Sequence, residues 1–289
     1  MLLFSYTVKM LWTLLLSSLI TGTHLNDTVV CNNTASEVLN GTTSQSSNYT
    51  NGIVPYSSDR AIDGNKSLCA HSSNDLNSQW WRIDLLGVYN ISCIAIYNVK
   101  QDNTIMNGAV IHIGSSRGKN GTDNPIYKYI TNFSLSEYNC FDFPGDVLGR
   151  YITVSLPQKK HLILCEVKIW GSLIESPFIL IEKNMTWEDA LYHCRDHYSD
   201  LASILSPEDQ AWAELEARNA TTPYVWLGLH YTCTLGFWFW VEDCAFGYKH
   251  WAPDVEKEEC DMSVAMKTKE EHFWYRKSDN HTFNFICRK

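Results

Sequence analysis

The sequence predicts an all-β sandwich of the jelly-roll type followed by an α+β domain. A length of 289 residues is enough for two domains of ordinary size, each with its own core. Residues 31–171 consist of short β-type runs separated by turn residues, without a long helical period. After a short linker at 171–176, the apolar residues follow a helical period from Pro177 and then return to strand-like runs. We therefore expect one domain over residues 31–171 and a second over residues 177–289.

The first 23 residues predict a signal peptide that is removed. Lys9 precedes a short apolar run that ends in small residues suited to signal peptidase. A signal anchor is the alternative, but the uncharged run is shorter than the roughly 20 residues that a membrane helix needs. No second hydrophobic span follows. The expectation is a secreted, extracellular protein with no membrane span after signal removal.

The N-glycosylation sequons and the cysteines also indicate a secreted protein. Ten cysteines without any Cys-x-x-Cys pair are typical of disulfides made in an oxidising compartment. Acceptor motifs for N-glycosylation mark surface positions if they are used. The asparagines of these motifs are Asn26, Asn32, Asn40, Asn48, Asn65, Asn90, Asn120, Asn132, Asn184, Asn219 and Asn280.

Charge and motifs exclude several classes of function. A net charge of -9 without a block of Lys or Arg argues against a nucleic-acid partner, because phosphate binding needs a concentrated basic patch. The sequence contains no metalloprotease, nucleophile-elbow, phosphate-loop or dinucleotide motif. Eight of the ten histidines are scattered, without a nucleophile or carboxylate at a telling spacing: His112, His161, His193, His197, His230, His250, His272 and His281. We therefore expect a binding protein and not an enzyme.

Strand-like runs recur along the N-terminal half. In residues 151–156, apolar and polar side chains alternate, which predicts a strand with one buried face and one wet face. The predicted strands include Ile91–Tyr97, Ala109–Ile113, Tyr151–Leu156 and Val167–Trp170.

Five segments of this half, in their order, resemble the F-type lectins, which are fucose-binding and discoidin-like. The resemblance implies a β-jelly roll, a structural calcium ion held by loops, and a fucose site made by one histidine and two arginines. The segments are Thr-Ser-Gln-Ser-Ser at 43–47, Ala-Ile-Asp-Gly-Asn at 61–65, Trp-Trp-Arg-Ile-Asp-Leu at 80–85, Asn-Gly-Ala-Val-Ile-His-Ile-Gly at 107–114 and Leu-Cys-Glu-Val at 164–167.

For calcium, the resemblance implies that Asp63 and Glu166 are carboxylate ligands. Calcium takes six to eight oxygens, and the remaining ones would come from other groups of the same loops. The alternative is that Asp63-Gly64-Asn65 is an ordinary Asx-type turn. The further ligands implied are Asn65, itself a sequon, and main-chain carbonyls near Arg60, Leu68 and Cys165.

The resemblance implies a fucose site of one histidine and two arginines, and the sequence retains only the histidine. His71, in Cys69-Ala-His71, is the candidate that donates a hydrogen bond to the sugar. Val99 and Ile105 stand at or near the two arginine positions, and Lys100 offers only a flexible charge in place of a planar guanidinium. Two lost charge-assisted bonds, about 1.5–3 kcal/mol each, remove several orders of magnitude in affinity. Ordinary fucose binding is therefore not expected.

The C-terminal half begins with two helix signals. Thr186 is a predicted N-cap, with an acidic residue three positions later, and Ser206 followed by Pro207 predicts a second helix start. The first helix has an apolar face made by Trp187, Ala190, Leu191, Cys194 and Tyr198. Strand-like runs follow at Val225–Leu229, Phe237–Val241, Cys260–Met266 and Phe283–Cys287.

These segments resemble the C-type lectin-like domain. The resemblance rests on Cys194 ahead of Asp-Leu-Ala-Ser-Ile at 200–204, Trp-Leu-Gly-Leu at 226–229 and the closing Phe-Ile-Cys287. Sugar-binding members carry two calcium-ligand triplets, and neither is present. The corresponding stretches read Glu-Asp-Cys-Ala-Phe-Gly-Tyr at 242–248 and Trp-Tyr-Arg at 274–276. We expect no calcium-mediated sugar site here, and we interpret Glu258, Glu259 and Asp261 as a solvated loop.

The resemblances also imply disulfides. Cys69 is expected to pair with Cys165, and Cys194 with Cys287. Cys233 and Cys244 flank an aromatic hairpin, which favours a local pair. Cys93 with Cys140 is a hypothesis, and Cys31 and Cys260 have no assigned partner, so bridging between molecules, and hence an oligomer, stays open.

The leading hypothesis is a secreted lectin-like glycoprotein that recognises glycans or glycoproteins, in a host-defense role. Recognition would use the loops beside His71 or the aromatic surface of the second domain. The alternative is an adhesion or protein-binding module that keeps both scaffolds and has lost sugar binding.

Overall fold

The computed structural model describes residues 31, 35–38, 40–101, 104–118, 122–234, 236–253, 260 and 262–289. The expected signal peptide, residues 1–23, lies outside the described residues, as do the sequon asparagines Asn26, Asn32 and Asn120. Residues 31–289 form one compact unit. Within the described residues, no helix has the length and apolar character that crossing a bilayer requires.

The N-terminal half is a β-sandwich, as predicted. Its helical content among the described residues is a single short 3-10 turn, Ser58–Ala61. The strands are β1 (Thr42–Gln45), β2 (Ala70–His71), β3 (Gln79–Tyr97), β4 (Val110–Gly114), β5 (Ile126–Tyr129), β6 (Tyr138–Asp142), β7 (Leu148–Leu156), β8 (Ile163–Leu164) and β9 (Glu166–Leu173).

The long strand β3 joins the two layers of the sandwich. Its first part pairs with β1 and β7 in the order β1-β3-β7-β4-β5, and its second part pairs with β6 and β9. The register against β7 shifts between Asp84 and Tyr89, where Leu86 has a φ of 59°. Such a bulge bends a strand. Between the layers lies a core rich in β-branched residues, including Ile83, Ile94, Ile111, Ile152 and Ile169.

The predicted wet face of residues 151–156 is wrong. Tyr151, Thr153 and Ser155 are as buried as the core-facing residues of β7. β7 is a central strand between β3 and β4, and the side chains of its outer face lie under neighbouring groups. Arg82 stacks over Tyr151 with 5.5 Å between the guanidinium carbon and the ring centroid, and Ser155 Oγ lies 3.0 Å from His112 Nε2. The alternation of polar residues therefore predicted which side chains lie on the outer face, but not that this face is buried.

The C-terminal half is an α+β domain, as predicted. Its main sheet has the order β10-β16-β12-β14-β15, with β12 and β16 parallel. The first element is a strand, not a helix, and β9 extends into the expected linker as far as Leu173. The elements are β10 (Phe178–Met185), α1 (Trp187–His197), β11 (Asp200–Leu201), α2 (Pro207–Ala217), β12 (Tyr224–Thr232), β13 (Phe237–Trp240), β14 (Met262–Lys267), β15 (Trp274–Ser278) and β16 (Phe283–Arg288).

Both predicted helix starts are confirmed. Thr186 Oγ1 accepts a hydrogen bond from the Asp189 main-chain N–H at 3.2 Å, and Ser206 Oγ accepts one from Asp209 at 3.1 Å. Pro207 occupies the first turn of α2, where its missing N–H costs nothing. The buried residues of α1 are Trp187, Ala190, Leu191 and Cys194, while Tyr198 caps the helix.

Four disulfides join described residues. Cys69–Cys165 and Cys194–Cys287, the two pairings implied by the resemblances, are present. Cys31–Cys93 and Cys233–Cys260 are also present, so the expected pairs Cys93–Cys140 and Cys233–Cys244 are wrong. Cys140 and Cys244 are free thiols.

The error at Cys244 has a geometric cause. Cys233 directly follows β12 at the tip of the hairpin, whereas Cys244 follows β13 at the far end of that strand. Four strand residues span roughly 13 Å, which exceeds the Cα separation of about 7 Å that a disulfide tolerates. Asp243, at a φ of 55°, then turns the chain, and Cys244 packs against the second-domain core.

An ion cluster that no sequence motif indicates lies around the buried Arg150, where α2 meets the sandwich. Arg150 donates to both carboxylate oxygens of Asp84 at 2.8 Å and to Glu214 of α2 at 2.9 Å. The Arg150 side chain is 5% exposed. Burial opposes charge on Asp84, yet the hydrogen bonds from Arg150 hold the pKa of Asp84 below its usual value. The two halves are therefore linked by charge as well as by chain.

The sequon asparagines that the structure describes lie at the surface, with one partial exception. Asn90 is half-buried, and its amide bonds Asp146 at 2.8 Å. The exposed ones are Asn40, Asn48, Asn65, Asn132, Asn184, Asn219 and Asn280.

Candidate functional site

His71 lies on β2 at one end of the sandwich, inside an aromatic cluster. Its ring stacks on Tyr49 with 4.5 Å between centroids and meets the edges of Tyr56 at 5.6 Å and His161 at 4.7 Å. Its backbone is held as well, because its carbonyl accepts from Tyr49 N–H at 2.8 Å and from Gln45 Nε2 at 3.3 Å. Gln45 belongs to the Thr-Ser-Gln-Ser-Ser segment, so that motif supports the position of His71.

The imidazole of His71 is neutral near neutral pH. Burial, followed by the neighbouring His161, lowers the pKa of His71 from 6.5 to about 4. Its Nε2 atom is buried and lacks a hydrogen-bond partner. A buried polar atom without a partner is costly, so this atom calls for a water molecule or a ligand group as its partner.

An open cleft of about 460 Å³ adjoins this cluster through His161. Ile105, one of the two residues at the expected arginine positions, is 47% exposed and lines the cleft. The other lining residues are Asn74, Asn107, Leu156, Lys159, Lys160 and His161. Sequence reasoning missed Lys159 and Lys160, because they follow β7 and fall outside every segment that carried the resemblance.

A buried asparagine bonds the described part of the segment that should have carried the arginines. Asn98, fully buried, donates to the carbonyls of Thr104 at 2.7 Å and Ile163 at 2.9 Å, and accepts from Cys165 N–H at 3.0 Å. Thr104 Oγ1 in turn donates to the Val99 carbonyl at 2.6 Å. Val99 is therefore half-buried in a pinned turn, and neither it nor Ile105 supplies a guanidinium.

The expected calcium residues Asp63 and Glu166 lie near one another. Burial of the carboxyl, followed by the nearby charge of Asp63, raises the pKa of Glu166 to about 7. Glu166 is 4% exposed, and its Oε2 has no hydrogen-bond partner. Gly64, at a φ of +77°, directs its N–H to the Glu166 carboxylate. A cation between the two carboxylates would satisfy the orphaned oxygen and remove the repulsion, so the residues present fit a calcium ion.

The other expected calcium ligands differ in their exposure and in the contacts that they already make. Asp63 Oδ1 accepts from Asn65 N–H at 2.8 Å, and Asn65 Oδ1 accepts from Ser67 N–H at 3.1 Å, so both side chains also make Asx turns. Leu68 is exposed, and Cys165 is buried beside Glu166 in its disulfide. Arg60 stacks over Tyr56 at 4.6 Å, which ties this loop to the His71 cluster.

In the second domain, the two stretches that correspond to the calcium-ligand triplets contain an ion pair and cation–aromatic contacts. Glu242 pairs with Arg288 at 3.4 Å. Arg276 lies with its guanidinium carbon 5.8 Å from the ring centroids of both Trp238 and Trp251. Trp274 is fully buried and donates to Gln210 at 2.9 Å. Glu258, Glu259 and Asp261 lie outside the described residues.

Two family models match the chain in succession. A model described as a NedA-like, galactose-binding domain matches residues 60–154. The model of the C-type lectin domain matches residues 183–289. Their order is that of the two predicted domains.

Among curated proteins, the chain is similar to fucolectins of eels. It is 38% identical over 117 residues to fucolectin of Anguilla anguilla, covering 38% of this chain and 73% of that protein. It is 39% identical over 117 residues to fucolectin-1 of Anguilla japonica, covering 38% of this chain and 65% of that protein. The chain thus spans somewhat less than two thirds of the length of this second relative.

Among solved structures, the chain is similar to a crystal structure of an F-lectin (fucolectin) from the serum of striped bass, Morone saxatilis. The two share 31% sequence identity, with a TM-score of 0.44. The alignment covers 55% of this chain and 58% of the striped bass chain.

Proposed function

The chain belongs to the fucolectin family and carries a C-type lectin domain in its second half, and we propose that it is a secreted glycoprotein that binds glycans or glycoproteins through its N-terminal domain. The observation that carries this proposal is the open cleft beside His71. The cleft combines neutral hydrogen-bonding groups, aromatic neighbours and an apolar wall, which is the usual composition of a small-ligand site.

The ligand differs from free fucose held by two arginines. Ile105 lines the cleft where one guanidinium is expected, and Val99 is confined in a pinned turn. His71 remains as a positioning group at the edge of the cleft, since its ring contacts His161, which lines it. Binding therefore depends on groups that the family's fucose motif does not include.

We propose that calcium holds the loops of this domain in place. Asp63 and Glu166 would be its carboxylate ligands, and Asn65 with the carbonyls of Arg60, Leu68 and Cys165 would complete the oxygen shell. The orphaned Glu166 Oε2 and its raised pKa support this assignment. When bound, the ion supplies charge neutralisation and loop order, while recognition stays with the side chains of the cleft.

The second domain is proposed to bind protein and not calcium-held sugar. Arg276 places a cation among tryptophans where a metal would otherwise lie, and Glu242 is committed to Arg288. This arrangement favours an adhesion role for that domain, alongside glycan recognition by the first. Neither domain is proposed to catalyse a reaction, and we propose a host-defense role for glycan recognition outside the cell.

A glycan array with the secreted protein, run in calcium and again after chelation, tests the proposal. Binding that is lost on chelation would support a lectin whose loops need the ion. Binding that persists would keep the lectin but reject the calcium assignment. A blank array under both conditions would reject glycan recognition and favour a protein partner for the whole chain.

A further inference from the structure

The cleft beside His71 is positively charged in a chain of net charge -9. Lys159 and Lys160 both line it, and no acidic side chain does. Both lysines are exposed, and among the described residues neither forms an ion pair. A cleft lined by one sign of charge concentrates the field and attracts ligands of the opposite sign.

The segment that carries the two lysines is held in place. Gln158 N–H bonds the Leu156 carbonyl, and Lys160 N–H bonds the Gln158 carbonyl, both at 2.8 Å. His161 Nδ1 donates to the Ser72 carbonyl at 2.8 Å, which leaves Nε2 as the second polar atom of the ring. The backbone beneath the ammonium groups is therefore fixed before a ligand arrives, which lowers the entropic cost of binding.

The rest of the lining suits a saccharide. Asn107 Oδ1 already accepts a hydrogen bond from Phe133 N–H at 2.8 Å, so its amino group is left as a donor. Ile105 and Leu156 provide an apolar wall. Two cations, a neutral amide donor and an apolar wall together fit a sugar ring that bears a negative group.

The clefts at the junction of the two halves differ from the cleft beside His71, because their arginines already form ion pairs or hydrogen bonds. Arg150 is bonded to Asp84 and Glu214, and Arg82 donates to the Gly118 carbonyl at 3.0 Å. Glutamates line both of those clefts. An incoming anion would have to displace existing partners there, but not beside His71.

We propose that the cleft beside His71 binds an anionic saccharide, with its sulfate or carboxylate held by Lys159 and Lys160. This inference rests on the proposed glycan-binding function and names its ligand class. Sulfate esters and carboxylates present the same chemistry to an ammonium group, which acts as a point charge without a fixed fork geometry.

The test measures affinity for three probes with one core: 6-sulfo-N-acetyllactosamine, 3′-sialyl-N-acetyllactosamine and unmodified N-acetyllactosamine. The variant Lys159→Ala/Lys160→Ala is compared with the control Lys128→Ala/Lys183→Ala, which removes two exposed lysines elsewhere. We expect at least one anionic probe to bind more tightly than the neutral probe. That preference should fall several-fold, and at most about thirtyfold, in the double variant, because exposed charge pairs contribute little each, and it should stay unchanged in the control. Circular dichroism of each variant checks the fold.

The outcomes separate this inference from the proposed function. Binding of the sulfated or of the sialylated probe alone identifies which anion the site accepts, and supports the inference if the cleft variant loses it. Equal affinity for neutral and anionic probes, or equal losses in both variants, would overturn the inference while leaving glycan binding intact. Failure of every glycan on a broad array would instead refute the proposed function.

Discussion

Replacing Arg150 with methionine should destabilise the protein strongly, because it leaves one buried and one partly buried carboxylate without their buried cation. Asp84 and Glu214 have side chains that are 18% and 9% exposed, and both bond Arg150 at 2.8–2.9 Å. Removing one partner of a buried ion pair typically costs about 3–5 kcal/mol. Arg218 remains 3.6 Å from Asp84 and offers partial compensation. We therefore expect a loss near the lower end, about 3 kcal/mol.

The matched control is Arg218→Met. The Arg218 side chain is 41% exposed and makes one longer contact to Asp84. Exposed pairs contribute about 0–1 kcal/mol, so the control should lose no more than that. Each variant removes one positive charge. The difference between their free energies of unfolding therefore reports the effect of burying the arginine.

Urea denaturation followed by tryptophan fluorescence measures the free energy of unfolding for both variants, without adding salt that would screen the charges. Arg150→Met should also lose less in a Glu214→Gln background, because fewer buried charges are then left unpaired. A loss below about 1 kcal/mol for Arg150→Met, or equal losses for both arginine variants, would refute the reasoning that this cluster links the two halves.

Three further predictions concern the N-terminal domain. Calcium at about a hundredfold above its dissociation constant should stabilise the protein by about 2.7 kcal/mol, and Glu166→Gln should abolish the gain in a thermal melt. His71 should titrate near pH 4 by NMR; because this pKa lies below the unfolded value, its contribution to stability is lost as the pH falls from 6.5 toward 4. In Cys31→Ser, Cys93 should pair with Cys140, whose sulfur lies within 4.8 Å, and peptide mapping by mass spectrometry would detect the new disulfide.

Each of these predictions has a clear contrary result. An equal calcium-induced shift in wild type and Glu166→Gln would remove that carboxylate from the ion site. A His71 midpoint near pH 6.5 would mean that its ring is solvated. Free thiols at both Cys93 and Cys140 in Cys31→Ser would show that these two cysteines cannot form a disulfide.

Local signals in the sequence predicted local structure well. The caps at Thr186 and Ser206 depend on groups three residues away, so their geometry follows from the sequence around them. The β-runs of the first half likewise follow from alternation and β-branched content. Their exposure does not, as Thr153 and Ser155 demonstrate, because it depends on strands and side chains distant along the chain.

The candidate site was predicted only in part, for the same physical reason. His71, Asp63 and Glu166 belong to stretches that resemble the F-type lectins, so the sequence alone suggests their roles. Lys159 and Lys160 line the cleft beside His71 from a turn without any motif. Arg150 meets Asp84 and Glu214 across separations of 66 and 64 residues, which no local pattern encodes. The pairing of Cys233 similarly depended on the length of a hairpin.

The most direct test of glycan recognition beside His71 is to fill the cleft. Ile105→Trp adds bulk to a lining residue that is 47% exposed, and Tyr192→Trp adds bulk at a surface groove of the second domain as a control. Both variants and the wild type are compared on one glycan array in calcium. The proposed function predicts that Ile105→Trp loses the glycans that the wild type binds, while Tyr192→Trp keeps them. Wild-type binding by Ile105→Trp would contradict it.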